Sequence, residues 1–211
     1  MSSNSVIRGF VIAVDGLTAA GKGTLSKALA RHFGFDHLDT GLLYRATAKK
    51  VLDLDLSPLE AAQQLTASDL ADEASLRNEV VAQKASEVAA VPEVRTALIQ
   101  FQRDFAASPK GAILDGRDIG TVICPDAHAK LFVTASSEVR AERRYKELLT
   151  KGQKAIKSRV LADLIARDAR DQQREDAPAK AADEALVLDT SDMDAEQALA
   201  KALEFIVPKL D

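Results

Sequence analysis

The chain has 211 residues, 46% hydrophobic and 28% charged, a balance that fits one compact globular domain with small insertions and excludes a disordered or fibrous chain. Its 37 alanines, against no tryptophan and nine phenylalanine or tyrosine residues, predict a helix-rich fold with an aliphatic core and argue against binding of single strands by base stacking. The net charge of −4 argues against duplex nucleic acid as a partner, yet residues 140–174 hold eleven Lys or Arg and only five Asp or Glu, which suits an anionic partner or a solvated helix face.

The amino-terminal stretch MSSNSVIRGFVIAVDG has neither a basic start nor a long apolar run, and no later segment approaches the roughly 20 apolar residues that cross a bilayer. The expectation is a soluble, cytoplasmic chain without a membrane partner. Residues 10–15 (FVIAVD) form a continuous apolar run closed by glycine, the pattern of a strand buried on both faces. A helix is predicted over 22–33, and further strands over 35–39, 112–115, 130–134 and 185–189. Strands alternating with helices imply right-handed crossovers and a parallel sheet with helices on both faces.

Residues 44–108 are helical in period with no strand signal, too long for one crossover helix, and are expected to form an insertion. Within it, residues 53–79 carry seven acids and one base and read as solvated surface. A second helical excursion covers 136–174, with a break at KGQK, 151–154. On it Arg167, Arg170, Asp171 and Arg174 fall on one helix face, and Arg140, Arg143 and Arg144 repeat that spacing on the preceding helix. Such faces either close over a polyphosphate or are solvated and laced with ion pairs. Asp194 and Gln197 predict a capping box at the start of a last helix.

The stretch Gly16-Leu17-Thr18-Ala19-Ala20-Gly21-Lys22-Gly23-Thr24 follows a buried strand and opens a helix, the context a phosphate-binding loop requires. Its glycines let the backbone turn tightly around phosphate oxygens, the helix amino terminus supplies oriented N–H groups, and Lys22 reaches the terminal phosphates. The hydroxyl that meets Mg²⁺ usually follows the lysine directly; here Gly23 intervenes, and Thr24 is the candidate. Asp115 ends the strand ILD and either holds Mg²⁺ through water or caps the following turn. The single cysteine, Cys124, permits no internal disulfide and fits a reducing compartment, while His32, His37 and His128 have no metal-ligand spacing.

The ending G-K-G-T, together with DTGLLYR at 39–45, ASEVAAVPEVR at 85–95, DGRDIGTV at 115–122, ARDARDQQR at 166–174 and ALVLDTS at 185–191, resembles the bacterial cytidylate kinases from end to end. The resemblance implies a three-layer α/β fold of the P-loop type with a five-stranded parallel sheet. It implies a core of residues 1–45, 109–140 and 175–211, a helical monophosphate-binding insertion over 46–108 and a basic lid over 141–174.

It further implies transfer of the γ-phosphoryl group of ATP to CMP or dCMP with Mg²⁺, catalysed by Lys22, Arg117 and Arg174. Arg45, Arg117 and Arg174 correspond to the clamp on the acceptor phosphate. Ser86, Arg95 and Asp118 correspond to the base pocket, with Thr40 and Tyr44 on the same side, and Arg167 with Asp171 corresponds to the ribose contact. Cytosine presents one amino donor and two acceptors, so a carboxylate with two donors complements it, and phosphate needs the fork geometry of arginine. Ala19 departs from the family pattern, which places a glycine there, and the insertion is shorter than in many relatives. The alternatives are another small-acceptor kinase of this fold, acting on UMP, AMP or a hydroxylated metabolite, and a non-catalytic ATP-binding module. A monomer is expected.

Overall fold

The computed structural model describes residues 9–174 and 177–210. The first eight residues, part of the stretch read for a targeting signal, lie outside the described residues. Five strands, β1 (Val11–Gly16), β2 (Asp36–Asp39), β3 (Ala112–Asp115), β4 (Ala129–Thr134) and β5 (Leu186–Asp189), form one parallel sheet in the order β2-β3-β1-β4-β5, with helices on both sides. The apolar run of β1 takes the central place, where Val14 lies opposite Asp115 of β3 and Gly16 opposite Val133 of β4. Chain order diverges on either side of β1, the switch point at whose carboxyl end open α/β sheets bind ligands.

The strand pattern is realised within a residue of the expected bounds. Phe10 and Phe35, read as strand residues, instead precede β1 and β2 and face each other with ring centroids 6.2 Å apart in the core. Helix α1 (Lys22–Phe33) contributes Leu25 and Leu29 to that core, and the last long helix contributes Ala198, Ala202 and Ile206. The latter starts with the expected capping box, in which Gln197 N–H donates to Asp194 at 2.8 Å and Asp194 N–H donates back to Gln197 at 3.0 Å.

Two compact units divide the chain: the sheet unit, and Asp39–Phe105. In the second, the helical period read from the sequence becomes α2 (Thr40–Leu54), α3 (Pro58–Gln63), α4 (Glu73–Leu76), α5 (Glu79–Val88) and α6 (Pro92–Ala106). Leu42, Ala46 and Leu76 form a small core there with Leu65 and Leu70. Side chains of Asp39, Ser57, Asp72 and Asn78 cap its helices, which lets short elements stand on local hydrogen bonds. The unit begins at Asp39, which ends β2 and caps α2; the resemblance draws the insertion from residue 46.

The basic stretch forms α7 (Ser137–Thr150) and α8 (Lys157–Gln172), separated at the predicted break, where Gly152 takes φ +71°. They pack through Ala141, Leu148, Val160 and Leu164, and they belong to the sheet unit. The remaining helix, Ala195–Ile206, is α9.

Candidate active site

The chain leaves β1 through Gly16, whose φ is +144° and where a Cβ would stand 2.0 Å from the Val133 carbonyl oxygen, so no side chain fits. Leu17 N–H donates to the same oxygen at 3.1 Å, tying the loop to β4. Gly21, at φ +97°, precedes α1, and among the described residues no side chain caps this helix. Its first-turn amides are therefore disposed for an anion, as a phosphate loop requires. Lys22 is buried and its Nζ donates to the Leu17 carbonyl at 3.0 Å, which holds the ammonium across the loop. Ala19 takes the left-handed φ of +59°, a conformation that costs a non-glycine residue about 1 kcal/mol. Its methyl packs against the α7–α8 cluster.

Arg117, in the turn after β3, donates from Nε to Asp171 at 2.8 Å, from Nη2 to the Thr18 hydroxyl at 2.7 Å and from Nη1 to the Gly116 carbonyl at 3.3 Å. Arg174 donates to the other oxygen of Asp171 at 2.5 Å. The structure thus joins two of the three expected phosphate-clamp arginines, Arg117 and Arg174, through one carboxylate. Burial works against ionisation of Asp171, yet Arg117, Arg174 and Arg167 hold its carboxyl below the usual range. Burial likewise opposes the charge on Arg117, and Asp171 overrides it.

Asp118 is buried and precedes a single wide helical turn, Ile119–Ile123. That turn is held by Asp15, a residue that sequence reasoning took only as the end of a strand. Ile119 N–H and Gly120 N–H each donate to its carboxylate at 2.8 Å. Burial pushes the Asp15 carboxyl up to about 7, against the pull of the two amides, and Asp118 adds to the rise. A carboxylate at the end of an apolar run is the one signal in the sequence that could have singled it out.

The arginines of α7 are engaged within the protein. Arg140 is 4% exposed and donates to Asp168 of α8 at 2.5 Å, to the Thr18 carbonyl at 3.1 Å and to the Ala135 carbonyl at 2.9 Å. Arg143 donates to Thr190 and the Met193 carbonyl, and Arg144 to Glu147. The spacing of these three arginines placed them together, and each donates within the protein, Arg140 and Arg144 to carboxylates and Arg143 to a hydroxyl and carbonyl oxygens.

In the helical unit, Asp39 caps α2 by accepting from Gly41 N–H at 3.0 Å and pairs with Arg77 at 2.7 Å. Arg77 lies in the stretch read as solvated surface. Thr40 is buried at the start of α2, and Arg45 donates to the Leu76 carbonyl at 2.9 Å. Arg95, buried on the first turn of α6, lies 6.0 Å from the Tyr44 ring centroid. Ser86 is 8% exposed, and its hydroxyl oxygen meets no hydrogen-bond partner among the described residues. A buried hydroxyl in that condition is disposed for a ligand.

Among the described residues no three His, Cys, Asp or Glu side chains gather as a metal cage. Mg²⁺ bound with a nucleotide needs only one or two protein oxygens. The exposed Thr24 hydroxyl and the Asp115 carboxylate, which His37 meets at 2.7 Å, are donors of the required kind. Cys124 is half-buried. No helix among the described residues is long and apolar enough to cross a membrane.

The family model described as cytidylate kinase matches residues 12–207. The chain belongs to the cytidylate kinase family. The cytidylate kinase of Paramagnetospirillum magneticum is 56% identical over 208 residues, covering 94% of this chain and 98% of its own. That of Methylocella silvestris is 56% identical over 202 residues, 93% of each chain. Among solved structures, an uncharacterized protein from Eubacterium ventriosum aligns with TM-score 0.58 at 15% identity, covering 94% of this chain and 98% of its own. TT1252 from Thermus thermophilus aligns with TM-score 0.51 at 24% identity, covering 96% and 98%. At those identities the structural likenesses speak for the fold alone.

Proposed function

We propose that this chain transfers the terminal phosphoryl group of ATP to CMP and dCMP, giving ADP and the cytidine diphosphates. The observation that carries the reading, beside membership of the family, is the Arg117–Asp171–Arg174 cluster fastened to the phosphate loop at Thr18. It supplies two forked cations for a second anion next to the site for the first.

An oxygen of the acceptor phosphate attacks the γ-phosphorus in line. The new P–O bond forms as the bond to the bridging oxygen of ADP breaks, and no protein nucleophile takes part. Lys22 and the α1 amides stabilise charge on the migrating group and on ADP, while Arg117, Arg174 and Arg45 hold the acceptor phosphate. Mg²⁺ bound with ATP supplies further charge neutralisation, and Thr24 and Asp115 are the residues that would meet it.

Ser86, Arg95 and Asp118 read the cytosine, Thr40 and Tyr44 support that pocket, and Arg167 with Asp171 contacts the ribose. The Ser86 hydroxyl left over inside α5 supports its part in this set. Residues 141–174 act as a lid that excludes water from the transfer. The single cysteine and the lack of a membrane-crossing helix among the described residues support a cytoplasmic enzyme, which we take to be a monomer.

The test is ADP production from ATP and Mg²⁺ with CMP, dCMP, UMP, AMP and GMP in turn. CMP and dCMP are expected to give the highest kcat/KM. A preference for AMP or UMP, or ATP binding without transfer to any acceptor, would overturn the assignment.

A further inference from the structure

Thr18 lies in the phosphate loop, where a hydroxyl is ordinarily assigned to the nucleotide that the loop cradles. Its three polar groups point elsewhere. The hydroxyl oxygen accepts from Arg117 Nη2 at 2.7 Å, the carbonyl accepts from Arg140 at 3.1 Å, and the amide approaches Asp168 at 3.4 Å. These partners come from the turn after β3, from α7 and from α8, so one loop residue is the meeting point of three segments separated from it by 99, 122 and 150 positions.

The bond to Arg117 is the one with chemical leverage. A guanidinium has five N–H groups, and three of those on Arg117 are engaged: Nε with Asp171, one on Nη1 with Gly116 and one on Nη2 with Thr18. Asp171 holds the Nε edge, and the longer contact to Gly116 ties the fork only to the adjacent residue of its own turn. The Thr18 hydroxyl ties it to the phosphate loop, which sets its plane against that loop and aims the remaining N–H groups. Bidentate recognition of phosphate depends on that plane.

We propose that Thr18 is a positioning residue for the acceptor side of the reaction, its hydroxyl setting the Arg117 fork and so registering the acceptor-phosphate clamp against the loop that holds ATP. The phosphate loop then has two functions: its backbone and Lys22 serve the donor, and the Thr18 side chain serves the acceptor. This rests on the kinase reading above and adds a division of labour within the loop.

The test compares wild type with Thr18→Val, which keeps the β-branched shape and the backbone bonds, and with Thr18→Ser, which keeps the hydroxyl. Each is made also in an Arg117→Ala background, and Thr18→Ala replaces Thr18→Val if that variant fails to fold. The acceptor is whichever monophosphate the wild type turns over fastest, so an error in the base assignment does not alter the outcome. Thr18→Val is expected to lower kcat/KM for the acceptor by about 10- to 100-fold, the range for losing a hydrogen bond to a charged group. The ADP dissociation constant should stay within about twofold, and Thr18→Ser should return to within about threefold of wild type. In the Arg117→Ala background Thr18→Val should cost less than about twofold more, since its target is already gone.

Weakened ADP binding with the acceptor parameters intact would return the hydroxyl to the donor side and overturn the proposal. So would an equal loss from Thr18→Val with and without Arg117. A wild type inert with every monophosphate would overturn the kinase reading together with this one.

Discussion

The surroundings of the phosphate loop and the surface of the helical unit handle charge in opposite ways. In the sheet unit the Arg117–Asp171, Arg174–Asp171 and Arg140–Asp168 pairs surround Thr18, and none of their side chains is more than 17% exposed. In the helical unit the Lys49–Asp53 and Lys84–Glu87 pairs leave every partner a third to a half exposed. Exposed pairs contribute little to stability, and buried ones recover little more than the desolvation they require. The buried set therefore contributes orientation: it fixes guanidinium planes beside the phosphate loop, where displaced charges would lose the transferred group.

The largest effect that bears on this contrast is on catalysis. Lys22→Ala should lower kcat by about a thousandfold or more with an unchanged far-UV dichroism spectrum, because the charge it removes acts on the migrating phosphoryl group. Near-normal turnover would remove the phosphate loop from the mechanism.

Stability sharpens the contrast. Asp168→Ala leaves Arg140 buried without its carboxylate and should cost about 3–5 kcal/mol. Lys49→Ala, at an exposed pair, should cost less than about 1 kcal/mol. Urea unfolding of both variants gives the comparison, and equal losses would break it.

A smaller loss is expected where charge is kept and shape is not. Arg174→Lys retains the cation but not the fork, and should lower kcat/KM for CMP by about 10- to 100-fold while ADP binding changes less than about twofold. A variant matching wild type over a full CMP titration would place Arg174 outside the clamp.

Asp15 offers the gentlest probe, a change of slope. Its carboxyl is raised to about 7 in the fold and sits near 3.8 in the unfolded chain. Between those values the unfolded chain releases a proton that the folded one keeps, so stability is lost as pH rises, by at most about 1.4 kcal/mol per pH unit. The melting temperature of wild type minus that of Asp15→Asn should fall from pH 4.5 to 7 and level off above. The opposite tilt would mean that the two amides, not burial, govern this group.

What the sequence made legible is what local spacing encodes. The strand, loop and helix around residues 10–33 announce the phosphate loop because its parts are consecutive, and Asp171 and Arg174 meet because they are three apart, although α8 ends at Gln172 and Arg174 lies just beyond it rather than on the helix face expected from the spacing. Even Ala19, marked by its departure from the family pattern, occupies a left-handed position in the structure. Spacing within one helix could not distinguish Arg140 as a buried partner of Asp168, because that pair lies 28 positions apart on two helices. Nor could it show that Thr18 faces Arg117, 99 positions away. Asp15 passes as the end of a strand in the sequence, because its two amide donors come from a turn more than a hundred residues later.

The most direct test is of the carboxylate that should distinguish cytosine from uracil. Asp118 is 5% exposed, and the turn it opens is pinned by Asp15, so it is held in place before any nucleotide arrives. In the proposed base pocket it would accept from the amino group of cytosine and face an acceptor in uracil, which should favour CMP over UMP by about 10² in kcat/KM. The measurement is kcat/KM for both acceptors in wild type and Asp118→Ala, at one concentration of ATP and Mg²⁺. The predicted result is a strong fall for CMP, little change for UMP, and a ratio between them reduced to a few-fold. A ratio that survives the substitution would contradict the account and leave Asp118 as a brace for its own turn.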